Sequence, residues 1–167
     1  GGNDSTWNFE YIYLPFTFSK TMTVVYNNEL HMFGSSYSNY ETCHYAWNGS
    51  SLREVSTLPC RLFGPVVYNN KIYAIDQRNN KLYAFNGSSW IEVNTIPIDV
   101  INPATCVWKG KIHLMNQYDH YTFDGYTWEY VGVTPFEVYQ TSCLVWNDSI
   151  VLLGGYHNKR DRSSFSV

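Results

Sequence analysis

The chain has 167 residues with 11 basic and 14 acidic side chains, a net charge of −3, and 15 Tyr, 9 Phe and 6 Trp. A chain of this length can bury a core without staples, and an aromatic-rich, charge-poor composition excludes a disordered tail or a coiled coil. The one dense basic stretch, Lys159-Arg160-Asp161-Arg162, is too short and mixed for a nucleic-acid stripe, and no apolar run is long enough to cross a bilayer, so neither nucleic acid nor membrane insertion is expected.

In chain order, Asn3-Asp4-Ser5-Thr6-Trp7 opens a strand that ends at Leu14-Pro15. The next segment, Val25-Tyr26-Asn27-Asn28-Glu29-Leu30-His31-Met32, places apolar and β-branched residues on both sides of an Asn-Asn pair. It predicts a β-hairpin, because Asn tolerates the positive φ that a tight turn demands. A second hairpin follows at Tyr45-Ala46-Trp47-Asn48-Gly49-Ser50-Ser51-Leu52, and its outgoing strand closes at Leu58-Pro59.

Both hairpins recur. The first returns at Val67-Tyr68-Asn69-Asn70-Lys71-Ile72, at Val107-Trp108-Lys109-Gly110-Lys111-Ile112 and at Val145-Trp146-Asn147-Asp148-Ser149-Ile150, in steps of 42, 40 and 38 residues. The second returns at Tyr83-Ala84-Phe85-Asn86-Gly87-Ser88-Ser89-Trp90 and at Tyr121-Thr122-Phe123-Asp124-Gly125-Tyr126-Thr127-Trp128, closing at Pro97 and Pro135. Two hairpins make four antiparallel strands, the content of one propeller blade. The fourth copy stops at Phe165-Ser166-Val167, before its second turn, and Asn3 to Trp7 matches the missing piece.

The expectation is a single all-β domain over residues 1–167, with four four-stranded blades at about 22–59, 65–97, 104–135, and 142–167 plus 3–15. The N-terminal strand would join the C-terminal blade, closing the ring into a monomer and covering two sheet edges. A fragment, or a half-ring completed as a homo-oligomer, is the other reading.

These segments resemble kelch and galactose-oxidase-type propeller repeats. In Leu14-Pro15-Phe16-Thr17-Phe18 running into Val24-Val25-Tyr26-Asn27-Asn28, they are similar to kelch-like repeats of bacterial and phage surface-attachment proteins. The resemblance implies binding to a protein or glycan at a cell surface, and an extracellular or virion-surface location over a cytoplasmic one. It is incomplete: the diagnostic double glycine survives only as Gly154-Gly155, and nothing matches the copper ligands or Tyr–Cys cofactor of galactose oxidase.

Chemistry-bearing residues are scattered. His31 and His113 share one repeat position and His44 and His120 another, which explains their placement without a metal. Cys43, Cys60, Cys106 and Cys143 lack paired metal spacing and fall at unrelated repeat positions, so no cofactor, metal or disulfide framework is expected. Glu54, Glu92 and Glu129 lie on fourth strands, where alternation can place them in solvent, and no catalytic motif is present. Asn3, Asn48, Asn86 and Asn147 sit in glycosylation sequons that also read as turns, and the turn reading is preferred.

In an up-and-down blade the tight turns fall on one face and the longer 2–3 and 4–1 loops on the other. Those loops carry Tyr37, Tyr40, Arg61, Arg78, Gln117, Tyr118, Tyr139, Tyr156, His157 and Arg160, rich in the Tyr and Arg that dominate binding hot spots. The function expected is non-enzymatic recognition of a cell-surface glycan or protein through this face. The alternatives are an intracellular kelch-type protein-interaction scaffold and, third, a small enzyme with a central pocket.

Overall fold

The structure is a computed structural model that describes residues 8–15, 18–36, 41–58 and 60–156. The first sheet holds β1 (Phe18–Tyr26), β2 (Glu29–Ser36), β3 (Thr42–Trp47) and β4 (Leu52–Leu58) in sequence order, each antiparallel to the next. The second repeats the plan with β5 (Phe63–Tyr68), β6 (Lys71–Asp76), β7 (Lys81–Phe85) and β8 (Trp90–Thr95). The third contains β9 (Ala104–Trp108), β10 (Lys111–Phe123), β11 (Trp128–Trp146) and β12 (Ser149–Tyr156).

Turn chemistry explains the first hairpin of every unit. Asn27 and Asn28 have φ of 49° and 58°, Asn69 and Asn70 48° and 58°, Lys109 and Gly110 47° and 75°, and Asn147 and Asp148 51° and 57°. Two successive positive φ values match the right-handed twist of the flanking strands. The second turn works differently. Only its glycine has positive φ, and the preceding Asn48 instead accepts the backbone N–H of Ser50 and Ser51 on Oδ1, both at 2.8 Å. Asn86 and Asp124 do the same at 2.8–3.0 Å, a side-chain cap open to Asn or Asp alike.

Each sheet packs on the next through the same apolar positions. Tyr26 and Phe33 of the first sheet meet Ile72 and Phe85 of the second, with Trp90 beside them. Tyr68 and Ile75 of the second meet Ile112 and Phe123 of the third, with Trp128 beside them. Phe85, Trp90, Phe123 and Trp128 thus wedge between neighbouring sheets. A repeated hydrogen bond ties the sheets together: Tyr26 Oη donates to Asn70 O at 2.7 Å and Tyr68 Oη to Gly110 O at 2.8 Å. First strands lie side by side, β1 against β5, β5 against β9 and β9 against β11.

One contact between first strands is tight enough to test. Gly64 has φ +57°, and a Cβ there would stand 2.7 Å from Thr105 Oγ1, whose hydroxyl donates to Gly64 O at 3.1 Å. Gly64→Ala combines left-handed strain with that clash and is expected to cost about 1–3 kcal/mol. Chemical denaturation would measure it, and an unchanged midpoint would refute the close packing of β5 on β9.

Three four-stranded sheets, rather than the four expected, are seen among the described residues. The reason lies in β10 and β11. Seven extended residues would span about 23 Å. Yet His113 Nδ1 and His120 Nε2 are 2.8 Å apart, so β10 doubles back on itself near Gln117, whose φ is 53°. Strands two and three of that unit are therefore one element. Likewise β11 pairs first with β10 and then, after a register break between Glu137 and Thr141, with β12. The expected break between third and fourth blades is extended backbone. Residues 3–7 and 163–167, which were to supply the remaining strands, lie outside the described residues.

Residues 8–15 are described but form no strand. Ile12 and Leu14 pack on Met32, Cys43 and Tyr45, as Leu58 packs beside Ala74 and Tyr83 one unit later. Leu14 thus occupies the place that the repeat assigns to the end of a preceding blade.

Candidate functional site

Loops from different units converge on one face. Cys60 and Arg61 come from the connection between the first two sheets, Phe63 from the start of β5, Asp76 from the end of β6 and Gln77 to Asn79 from the β6–β7 turn. Val100 and Ile101 come from the connection to the third sheet, and together these residues enclose a cavity of about 540 Å³. A second cavity of about 400 Å³ adjoins it, sharing Phe63 in its lining. Met22, Gly64, Ala104 and Ser142 line it, one residue from each of the four first-strand copies. All four copies of the inner strand therefore open onto one space.

The wall of the larger cavity is held by side chains from neighbouring turns. Val100 N–H donates to Asn80 Oδ1 at 3.0 Å, Ile101 N–H to Asn116 Oδ1 at 2.8 Å, and Asn102 N–H to Gln77 Oε1 at 3.0 Å. Asn116 Nδ2 donates in turn to Asp99 O at 3.0 Å. Asp76 is buried, with its carboxylate accepting the backbone N–H of Arg78 at 3.1 Å and Asn79 Nδ2 at 2.9 Å. Burial, with the Asp76 charge second, pushes the Cys60 thiol up to about 11, so it stays protonated and neutral at pH 7.

The predicted contact residues divide into three groups. Arg61 and Arg78 are brought together in the larger cavity. Gln117, Tyr118 and Tyr139 lie together at the β10–β11 crossing: Gln117 is the register partner of Val138, Tyr118 is 50% exposed and Tyr139 36%. Tyr37, Tyr40, His157 and Arg160 lie outside the described residues, as does the side chain of Tyr156, whose backbone ends β12 opposite Glu137. Sequence reasoning missed Asp76, Gln77, Asn80 and Asn116, which shape the site. The run Asp76-Gln77-Arg78-Asn79-Asn80 carried a turn signal, but its long-range bonds had none.

The histidines form pairs that repeat position did not reveal. His31 Nδ1 lies 2.7 Å from His44 Nε2, both rings buried, and Trp90 Nε1–H donates to His44 Nδ1 at 3.1 Å. His113 and His120 make the equivalent pair. There His113 Nε2 lies 3.1 Å from Trp108 O, a bond that needs its proton on Nε2. Hence His120 Nε2–H donates within the pair, and His120 Nδ1 is left as an acceptor. That pair borders an open cavity of about 440 Å³ with Trp108, Lys109, Lys111 and Val131.

Burial first of all holds His31, His44, His113 and His120 below the ordinary histidine range, His44 down to about 3. They fold neutral, whereas the unfolded chain takes up protons below about pH 6.5. The stability they support is therefore fully present above pH 6.5 and lost as pH falls below it, for His44 down to about 3, where the loss is up to about 1.4 kcal/mol per pH unit. Melting temperatures measured from pH 7 to 4 should fall accordingly; a flat profile would refute neutral burial.

Other candidate groups are placed as follows. Among the described residues, no three His, Cys, Asp or Glu side chains gather as a metal site. Glu92 pairs with Lys81 at 3.1 Å and Glu129 with Lys111 at 3.9 Å, both on the surface. The cysteines are free thiols, but Cys106 and Cys143 share a hydrogen bond between neighbouring first strands, a proximity that their repeat positions did not suggest.

Neither a protein-family model nor a curated protein matches the chain. Solved structures do. A chain of the S. cerevisiae assembly of a variant Dbp5 bound to Nup159, a variant Gle1, IP6 and ADP is similar over 96% of this chain, with a TM-score of 0.53 at 11% identity. The N-terminal domain of Nup159 is similar over 88%, with a TM-score of 0.48 at 12% identity. This chain spans less than half the length of either, 45% and 44%. The first likeness shows the fold: an all-β arrangement of the β-propeller type.

Proposed function

We propose that this chain is a protein-binding propeller module that works without catalysis through its long-loop face. One observation carries the reading: loops from separate units converge to build two adjoining cavities, and one wall is fastened by side-chain bonds. Variable loops held on a rigid frame are the usual place for recognition. The comparisons favour a protein partner over a glycan or a cell surface, since the similar chain belongs to an assembly of proteins bound to one another.

The second part of the proposal is a closed ring of four kelch-like blades. All four inner-strand copies line one cavity, as an axis requires. The two end faces of the array also complement each other. Leu144, Trp146 and Leu153 are 41%, 67% and 53% exposed, although their repeat equivalents Val24, Tyr26 and Phe33 pack against the second sheet. Leu30 and Trp47 on the opposite end are the equivalents of Ile72 and Phe85, the residues that receive such a face.

The functional test is affinity capture followed by binding of the purified partner, in parallel with a glycan array. A purified protein should bind, and Tyr118→Ala or Tyr139→Ala should weaken it. Binding to glycans alone would restore the surface-recognition reading. Loss of binding through Lys109 or Asn147, on the tight-turn face, would move the site to the other side.

A further inference from the structure

We propose that Cys106 and Cys143 are an oxidisable pair, which a hydroperoxide converts into a disulfide that staples the third inner strand to the fourth.

The contact between neighbouring inner strands brings the two sulfurs together. Thr105 of β9 reaches the preceding strand, where its hydroxyl donates to Gly64 O of β5 at 3.1 Å. One copy later, Cys143 stands at the place of Thr105 and Ala104 at that of Gly64. Cys143 accordingly packs against the cluster of Ala104, Met115 and Val138. Cys106 lies two residues beyond Ala104 on the same face of β9, and both are buried. The Cys143 S–H donates to the Cys106 sulfur, a bond that holds the Cys106 thiol below its ordinary range.

The pair is reached from one side. Cys143 is half-buried and lines the 400 Å³ cavity with Ala104 and Thr105, so a molecule as small as hydrogen peroxide has a way in. Sulfurs already in hydrogen-bond contact have only to close to about 2.0 Å. Cys106, the more readily ionised sulfur, attacks the peroxide oxygen; the O–O bond breaks and a sulfenic acid forms. The Cys143 sulfur then displaces the sulfenic hydroxyl. One S–S bond replaces two S–H bonds, the peroxide takes up the two electrons and both protons, and two molecules of water leave. Cys43 and Cys60 lie in separate clusters, and burial holds both thiols above their ordinary range, so neither competes.

The test treats the full folded chain with hydrogen peroxide and then counts free thiols by alkylation in denaturant. Two of the four thiols should disappear, with a mass loss of about 2 Da, and peptide mapping without reductant should link Cys106 to Cys143. The melting temperature should rise by about 5–15 °C, because the bond closes a long loop in the unfolded chain, and dithiothreitol should reverse every change. Cys106→Ser and Cys143→Ser should keep their remaining thiols and show no rise; if either variant is unstable before oxidation, the map of the unaltered chain decides. Four surviving thiols, a bond to Cys43 or Cys60, or oxygen added at one cysteine without a link overturns the pair. A linked pair with an unchanged or lower melting temperature overturns the staple. None of these readouts needs a binding partner, so the protein-binding reading stands or falls separately.

Discussion

Deleting residues 1–14 is expected to abolish the soluble monomer. The deletion removes Ile12 and Leu14 from their packing on Met32, Cys43 and Tyr45. In the closed ring it also removes the N-terminal segment expected to cover two sheet edges, leaving unpaired backbone available to other chains. Without closure the face of Leu144, Trp146 and Leu153 would not be brought onto Leu30 and Trp47 and would stay exposed, a patch that drives association. Size-exclusion chromatography with light scattering reads the outcome. Trp146→Glu makes the same point without shortening the chain, because it puts a charge where closure would bury an indole. If both variants remain monomeric with unchanged melting temperatures, the ring is not closed in this way.

Phe85→Ala should produce the next largest effect, a loss of about 3–5 kcal/mol in unfolding free energy. Phe85 is fully buried between the first two sheets, with ring centroids 6.1 Å from Tyr26, 4.8 Å from His44 and 5.4 Å from Trp90. No one sheet can fill the space it leaves, since the cavity walls belong to two blades. A domain of this size has about 5–15 kcal/mol in total, so the variant would be marginal. It should also flatten the acid loss described above, because water reaching His31 and His44 lets them protonate within the loosened fold, so the folded and unfolded chains differ less in proton uptake. Phe123→Ala should behave alike at the next interface, whereas Tyr126→Ala, in an exposed turn, should change little. Urea denaturation at pH 7 and pH 5 separates these cases, and a loss below 1 kcal/mol at Phe85 would contradict the interlocking of sheets.

Much of the fold was legible in the chain because its signals are local. Asn27-Asn28 and Asn69-Asn70 announce turns whose φ values they can adopt, and alternation between them places Tyr26, Ile72 and Phe85 on buried faces. Arg61 and Arg78 were legible as loop residues on the recognition face, and the structure gathers them in one cavity. The division into blades was less legible. Asn116-Gln117 reverses the chain so tightly that two strands become one element, and β11 stays extended where a loop was expected.

The amino-acid order by itself determined the repeat, its turns and the face where its loops differ, since each depends on residues a few positions apart. Only the tertiary structure decided which side chains meet. Repeat position pairs His31 with His113, but strand register joins His31 to His44 and His113 to His120. Asn80 and Asn116 read as ordinary turn residues until packing carries them beside a loop some twenty and fifteen residues away, where their amides hold Val100 and Ile101 in place. Such bonds depend on how sheets stack, and the order of residues within one turn carries no record of that.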